Sequence, residues 1–299
     1  MLTKNKIQFI KNLHEKSGRH EAGLFLVEWR KGIMECIASE YEIVEWFFTP
    51  KFIIPESVNF SYEIVSEKEL ERISALSSNR DGLLIVNILS HFCHPDEGRI
   101  CSECVEKKEQ IPRASEWQKN LTLILDGIND PGNLGTIIRI ADWYGVGHII
   151  ASLDTVDVYN PKTIMATMGS WTRIRVEYQD LEKYLASVIS TGARYEQNGE
   201  ILPGKKQSKI SRLHSVSLEM TEALPKPKVY WAYLEGESIR TKKFTPSWWY
   251  LVIGSESHGI RENLEKYITD KITIPRTWLA ESLNAGVATA VILERMTSE

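Results

Sequence analysis

The sequence has no apolar run long enough to cross a bilayer, so nothing in it argues for a membrane protein. Its opening Met1-Leu2-Thr3-Lys4-Asn5 does not lead into a secretory apolar segment, and a cytoplasmic protein is expected. Cysteine is scarce. Four in 299 residues do not make a disulfide scaffold. An excess of positive charge is also missing. The formal net charge is −4, so global basicity gives no argument for nucleic acid, and any such argument has to be local. What is present is ordinary for a globular protein: 42% hydrophobic and 25% charged residues, in a chain long enough for two domains and a sizeable core.

Local charge is uneven. Lys4, Lys6, Lys11, Lys16 and Arg19 cluster at the start, and Lys205, Lys206, Lys209 and Arg212 form a second basic stretch. Taken singly, either cluster is more simply a solvated face than a binding surface.

Up to about residue 110, helix and strand signals alternate. Leu2 to Leu13 reads as a short basic amphipathic helix, Gly23 to Val27 as a buried strand, Ile33 to Ser39 as helix and Leu83 to Leu89 as another apolar strand. Ser66 with Glu69 has capping-box spacing. The alternation predicts a small αβ sandwich. Residues 91–118 then crowd His91, Cys93, His94, Pro95, Cys101, Cys104 and Pro112 into a polar stretch that reads as linker material. Cys93, Cys101 and Cys104 with His91 or His94 could ligate zinc, but the second half of such a site is poorly spaced. Reduced linker cysteines are the simpler reading, and no metal site is expected.

From Leu121 strands alternate with helices: strands at 121–125, 148–151, 174–178, 229–233, 250–253 and 271–274, and helices at about 134–144, 161–168, 181–189 and 282–295. That rhythm predicts an α/β domain with a mostly parallel sheet and helices on both faces. The division expected is an N-terminal domain over 1–110, a linker at 111–120 and a C-terminal domain over 121–299. Residues 191–226 are a polar insertion with little periodicity.

Three strand-to-helix turns carry the chemistry. Asp126 to Asn133 follows a strand and opens a helix that bears Arg139, and ligand sites of open α/β sheets form at that edge. Asn133 can donate and accept hydrogen bonds, and the Arg139 guanidinium suits phosphate. Gly254-Ser255-Glu256-Ser257-His258-Gly259 permits close backbone approach, yet it lacks the glycine spacing of a dinucleotide fingerprint or a P-loop. Ile274-Pro275 followed by Ser282-Leu283-Asn284 repeats the plan, with Ser282 a natural helix cap and Ala285, Ala288 and Ala290 suited to close helix packing. Each turn alone has a plain structural explanation. Three at one sheet edge favour a binding cleft.

With these motifs, in this order, the region from about Leu121 to Met296 resembles the SpoU/TrmH-like class of RNA 2′-O-ribose methyltransferases. Val158 to Lys162 and Met168-Gly169-Ser170 are also similar to that family, and the N-terminal part resembles its RNA substrate-binding domain. The resemblance implies a deep trefoil knot, S-adenosyl-L-methionine as cofactor, a homodimer with active sites at its interface, and tRNA or rRNA as substrate rather than DNA. It implies that Gly254, Ile274 and Leu283 contact the cofactor, and that Asn133, Arg139, Glu256, Ser282 and Asn284 form the catalytic neighbourhood. Trp29 stands where the family often has glycine, Met165 where it often has arginine, and Trp278-Leu279 is bulkier than the usual turn. Two further readings compete: a non-catalytic RNA-binding module on the same fold, and an ordinary nucleotide-binding α/β enzyme.

Overall fold

The computed structural model describes residues 2–55, 61–76, 79–88, 121–191, 194–195, 201–202, 227–244, 249–277, 279 and 281–298. The 91–118 cysteine and histidine stretch, the second basic stretch and most of the 191–226 insertion lie outside them.

Two principal sheets organise the described chain. The first holds β1 (Leu24–Glu28), β2 (Ile43–Phe48), β3 (Glu63–Ile64) and β4 (Gly82–Asn87) in the order β1-β4-β2-β3. β4 runs antiparallel to both β1 and β2, while β3 is parallel to β2. Side chains alternate between its two faces, as a strand requires. Leu26, Leu83 and Ile85 point into one cluster, where the helices Lys4–Asn12 and Glu67–Ile73 supply Ile7, Ile10, Leu70 and Ile73. Phe25, Val27, Leu84 and Val86 point the other way. The basic first helix starts one residue after Thr3, whose hydroxyl caps it. The Ser66–Glu69 capping box forms in both directions.

The second sheet is entirely parallel and has the order β12-β10-β11-β5-β6-β7. Its strands are β5 (Leu121–Asp126), β6 (His148–Ser152), β7 (Arg175–Gln179), β10 (Lys228–Ser238), β11 (Trp249–Gly254) and β12 (Asp270–Thr273). Two short strands, β8 (Arg194–Tyr195) and β9 (Ile201–Leu202), pair separately. The central strands read as unbroken apolar runs because both faces are covered. On one face lie the helices Leu181–Thr191 and Glu262–Glu265, packed through Leu185, Val188 and Leu264. On the other lie Pro131–Trp143 and Ala285–Thr297, through Leu134, Ile137, Ile292 and Leu293.

One face of each sheet contributes to a shared core. The outward face of the first sheet meets the second half in one apolar seam, where Phe25 packs on Tyr159 and Trp171 at ring separations of 4.5 and 5.3 Å. Two ionic contacts cross the same seam. Arg19, 1% exposed, donates from Nε (2.9 Å) and Nη2 (2.6 Å) to Asp157 and from Nη1 to the carbonyls of Leu13 and His14. Arg173 joins Glu35 at 2.8 Å to Asp142 at 2.8 Å. The outward face of the first sheet thus packs into the same cluster as the second half, because both faces of its strands are apolar.

Trp29 has φ 59°, a region that favours glycine, and its indole packs where a Cβ on Gly32 would come within 2.9 Å of the ring. Among the described residues no helix is long and apolar enough to cross a membrane.

Candidate active site

The site is built at the carboxyl ends of β5, β11 and β12, where their three turns converge. After β5, Gly127 turns with φ 70° and its N–H donates to the Ser152 hydroxyl at 2.9 Å. Asp130 then caps the next helix by accepting the Asn133 N–H at 2.7 Å, with Pro131 in the first turn. The helix therefore begins three residues ahead of Leu134, where periodicity alone starts it, and Asn133 sits within its first turn. Gly135 faces the helix Pro161–Ala166 so closely that a Cβ there would lie 2.5 Å from the Ala166 Cβ. That contact needs glycine.

After β11, residues 255–259 form a tight turn closed by reciprocal 2.9 Å backbone bonds between Ser255 and Gly259. A Cβ on Gly254 would meet the Gly259 carbonyl carbon at 2.2 Å, so this glycine is a steric requirement of the turn. The turn is clamped from below. Asp126, buried at the end of β5, accepts the Arg261 N–H at 2.8 Å, and the Arg261 guanidinium lies 3.1 Å from the same carboxylate and also pairs with Asp154. Burial pushes the Asp126 carboxyl above its ordinary range, and the Arg261 contacts only partly offset that. Arg261 carries no motif signal in the sequence.

After β12, the chain reaches Asn284, and here the expected cap is corrected. The last helix starts at Ala285, not at Ser282, because the Asn284 side chain accepts the N–H groups of Gly286 (2.9 Å) and Val287 (3.3 Å). Ser282 stays outside the helix, exposed.

The three turns meet at Asn133. Its amide nitrogen donates to Glu256, and its amide oxygen accepts from Asn284 Nδ2 at 2.6 Å. Beside this junction opens a cavity of about 720 Å³ whose walls include Gly254, Glu256, Ile274, Ser282 and Leu283. Its size is that of a small-molecule site. Its lining combines apolar Ile253, Ile274, Leu283 and Ile292 with the 255–259 turn, which carries Glu256. Such a lining fits a nucleoside with an attached cationic chain. Trp231 and Tyr233 also line it, although the sequence marks them only as strand residues. Arg139 does not line it. It is exposed on the Pro131 helix, six residues or about 9 Å beyond Asn133. Among the described residues no group of three or more His, Cys, Asp or Glu side chains is placed to hold a metal.

Sequence comparison agrees with this geometry. The family model of the SpoU rRNA Methylase family matches residues 120–198 and 204–294, and the chain belongs to that family. A second model, the MRM3-like substrate binding domain, matches residues 4–81. The chain is similar to the 23S rRNA (guanosine(2553)-2'-O)-methyltransferase RlmP of Bacillus subtilis, at 24% identity over 288 residues, covering 96% of this chain and 94% of that protein. A TrmH-family structure from Porphyromonas gingivalis superposes with TM-score 0.70 at 25% identity, covering 99% of this chain and 98% of that one. The SpoU methyltransferase AviRb from Streptomyces viridochromogenes, solved with AdoMet, superposes with TM-score 0.68 at 18% identity over 97% of this chain and 96% of that one.

Proposed function

We propose that this protein transfers a methyl group from S-adenosylmethionine to a ribose 2′-hydroxyl of RNA. The observation that carries the reading is the Asn133 junction, which holds three turns from distant parts of the chain against one nucleoside-sized cavity. Gly254, Ile274 and Leu283 line that cavity and would hold the cofactor, largely through backbone groups. When bound, S-adenosylmethionine supplies a methyl group already activated by its sulfonium. The protein's own task is then to place the ribose oxygen in line and to favour its negative charge. Arg139 binds the phosphate next to the target ribose and stabilises the developing alkoxide. A guanidinium is too weak an acid to act as a literal base. Glu256, Ser282 and Asn284 orient the ribose and the loop beneath it.

The finer architecture belongs to the same reading. Residues 1–110 present RNA to the knotted domain at 121–299, the lysines of the first helix contacting phosphates. The segment after β12 leaves the sheet edge and returns to pack on the Pro131 helix, which suits a chain threaded as a trefoil knot. The protein works as a homodimer. The last helix is apolar on more than its core side, with Val287 and Val291 48% and 39% exposed, and a second copy covers them. An arginine standing outside its own chain's cavity also suits a site completed at such an interface. The substrate is ribosomal RNA, as the B. subtilis relative's name states for that protein. Asn133, Arg139, Glu256, Ser282 and Asn284 all keep their motif identities, and nothing at the site favours a non-catalytic role.

Calorimetry tests the cofactor. Micromolar binding of S-adenosylmethionine with no binding of NAD is expected, and the reverse preference would return the protein to the general nucleotide-binding enzymes. RNA binding should weaken steeply with added salt as phosphate contacts are lost, and light scattering should return twice the 34.2 kDa chain mass.

A further inference from the structure

The register of β10 is broken at the cavity. Trp231 and Ala232 pair with Lys271 and Ile272, but pairing resumes only with Glu237 opposite Ile272 and Ser238 opposite Thr273. Residues 233–236 therefore loop out of the ladder, and bulges beside active sites serve to re-aim side chains. The loop is pinned. Thr273 Oγ1 donates to the Leu234 carbonyl at 3.0 Å, and Gly236 lies so close to β12 that a Cβ would come within 2.6 Å of the Lys271 oxygen. The excursion folds the Tyr233 ring back onto Trp231, with centroids 4.1 Å apart and planes inclined by 37°. Both rings line the cavity, yet Trp231 is buried while Tyr233 is 39% exposed. The Lys271 ammonium lies 4.6 Å from the Trp231 ring centre and 5.0 Å from that of Tyr233.

The aromatic wall is thus part of a small polar cluster rather than an isolated pair of rings. A cation within about 6 Å draws on the ring's negative face. That ammonium, held also by Glu265 at 3.2 Å, already occupies the neighbourhood of both rings. A neutral, electron-rich heterocycle suits these rings better. β10 and β5 flank β11 on opposite sides, and Glu256, on the turn after β11, is bound from the β5 side by Asn133, which also holds Asn284. The cavity is thus asymmetric, aromatic on the β10 side and carrying a carboxylate on the β5 side.

We infer that Tyr233, set out of its strand by the bulge, is the stacking wall for the purine of the bound cofactor, and so turns the sulfonium toward the Glu256–Asn133 end. This rests on the cofactor reading above. Base–aromatic stacking is sequence-tolerant and worth about tenfold or more in affinity.

Calorimetry on the purified full-length protein reads the effect with three ligands: S-adenosylmethionine, S-adenosylhomocysteine and methylthioadenosine. The last two keep the purine and lack the sulfonium. Tyr233→Ala should weaken all three by a similar factor of about ten, and Tyr233→Phe should bind them as wild type does. Tyr233→Leu, which preserves apolar bulk, should match Tyr233→Ala and provides the reading where the alanine variant does not fold. Unchanged affinities in folded Tyr233→Ala or Tyr233→Leu protein would overturn the assignment. A loss confined to S-adenosylmethionine would overturn it too, by placing the sulfonium on the ring. Wild-type protein that binds none of the three would instead refute the cofactor reading itself.

Discussion

Asn133 accepts a 2.6 Å hydrogen bond from the side chain of Asn284, across 151 residues of chain. The same amide donates to Glu256, 123 residues away. A carboxamide supplies both the donor and the acceptor that this arrangement uses, and a carboxylate of the same size lacks the donor. Asn133→Ala should lower kcat by about 100-fold, the scale of an ångström-sized misplacement of reacting groups. Asn133→Asp should be at least as damaging, since its carboxylate would face Glu256. Single-turnover methyl transfer checks both, and near wild-type rates in Asn133→Asp would remove the junction from catalysis.

Arg139 makes the opposite prediction for binding. It is exposed and stands outside the cavity, so Arg139→Ala should leave S-adenosylmethionine affinity unchanged while turnover falls by about 100-fold or more, the scale of losing a preorganised charge. Retained turnover with normal cofactor binding would exclude it from the role assigned above.

The seam between the two sheets is a stability determinant. Arg19→Met leaves Asp157 buried and uncompensated and the carbonyls of Leu13 and His14 without their donor. Breaking such a pair costs about 3–5 kcal/mol. Adding Asp157→Leu should recover part of the loss by removing the stranded charge. Urea denaturation of both variants measures this, and a single variant as stable as wild type would contradict it.

Glu69 gives the pH dependence. Backbone N–H groups of Ser66 and Leu2, then the Ser66 hydroxyl, hold its carboxyl down from 4.5 to about 2. A depressed folded-state pKa stabilises above the unfolded value and ceases to do so as pH falls through the folded one. Glu69→Gln should therefore unfold more easily than wild type above about pH 4.5. The gap should narrow on acidification and close near pH 2, the folded-state value. A gap that is constant between pH 6 and pH 2 would assign the effect to packing.

Much of this was legible in the residues. β5, β6 and β11 fall where their apolar runs predict, because strands covered on both faces are continuous in sequence, and the edge strand β7 is read from its alternation, with Val176 and Tyr178 buried. The Ser66 cap is a local device and is read locally. β2 gave no clear signal, since Glu45 and Trp46 interrupt any alternation in Ile43–Phe48. The last helix cap went to Asn284 because Ser282 and Asn284 are equally good caps, and backbone path chose between them. The convergence of three turns on Asn133, the Arg261 clamp and the bulge that exposes Tyr233 are tertiary facts. Spacing along one chain does not contain them.

The central claim is that the Asn133 junction and its cavity serve methyl transfer to a ribose oxygen. The most direct measurement incubates the purified protein with labelled S-adenosylmethionine and unmodified ribosomal RNA, then hydrolyses the RNA with alkali. A 2′-O-methyl group blocks cleavage at its own linkage, so the account predicts label in alkali-resistant dinucleotides. Label in mononucleotides would place the methyl on a base, and RNA left unlabelled would mean no transfer; either result contradicts the account.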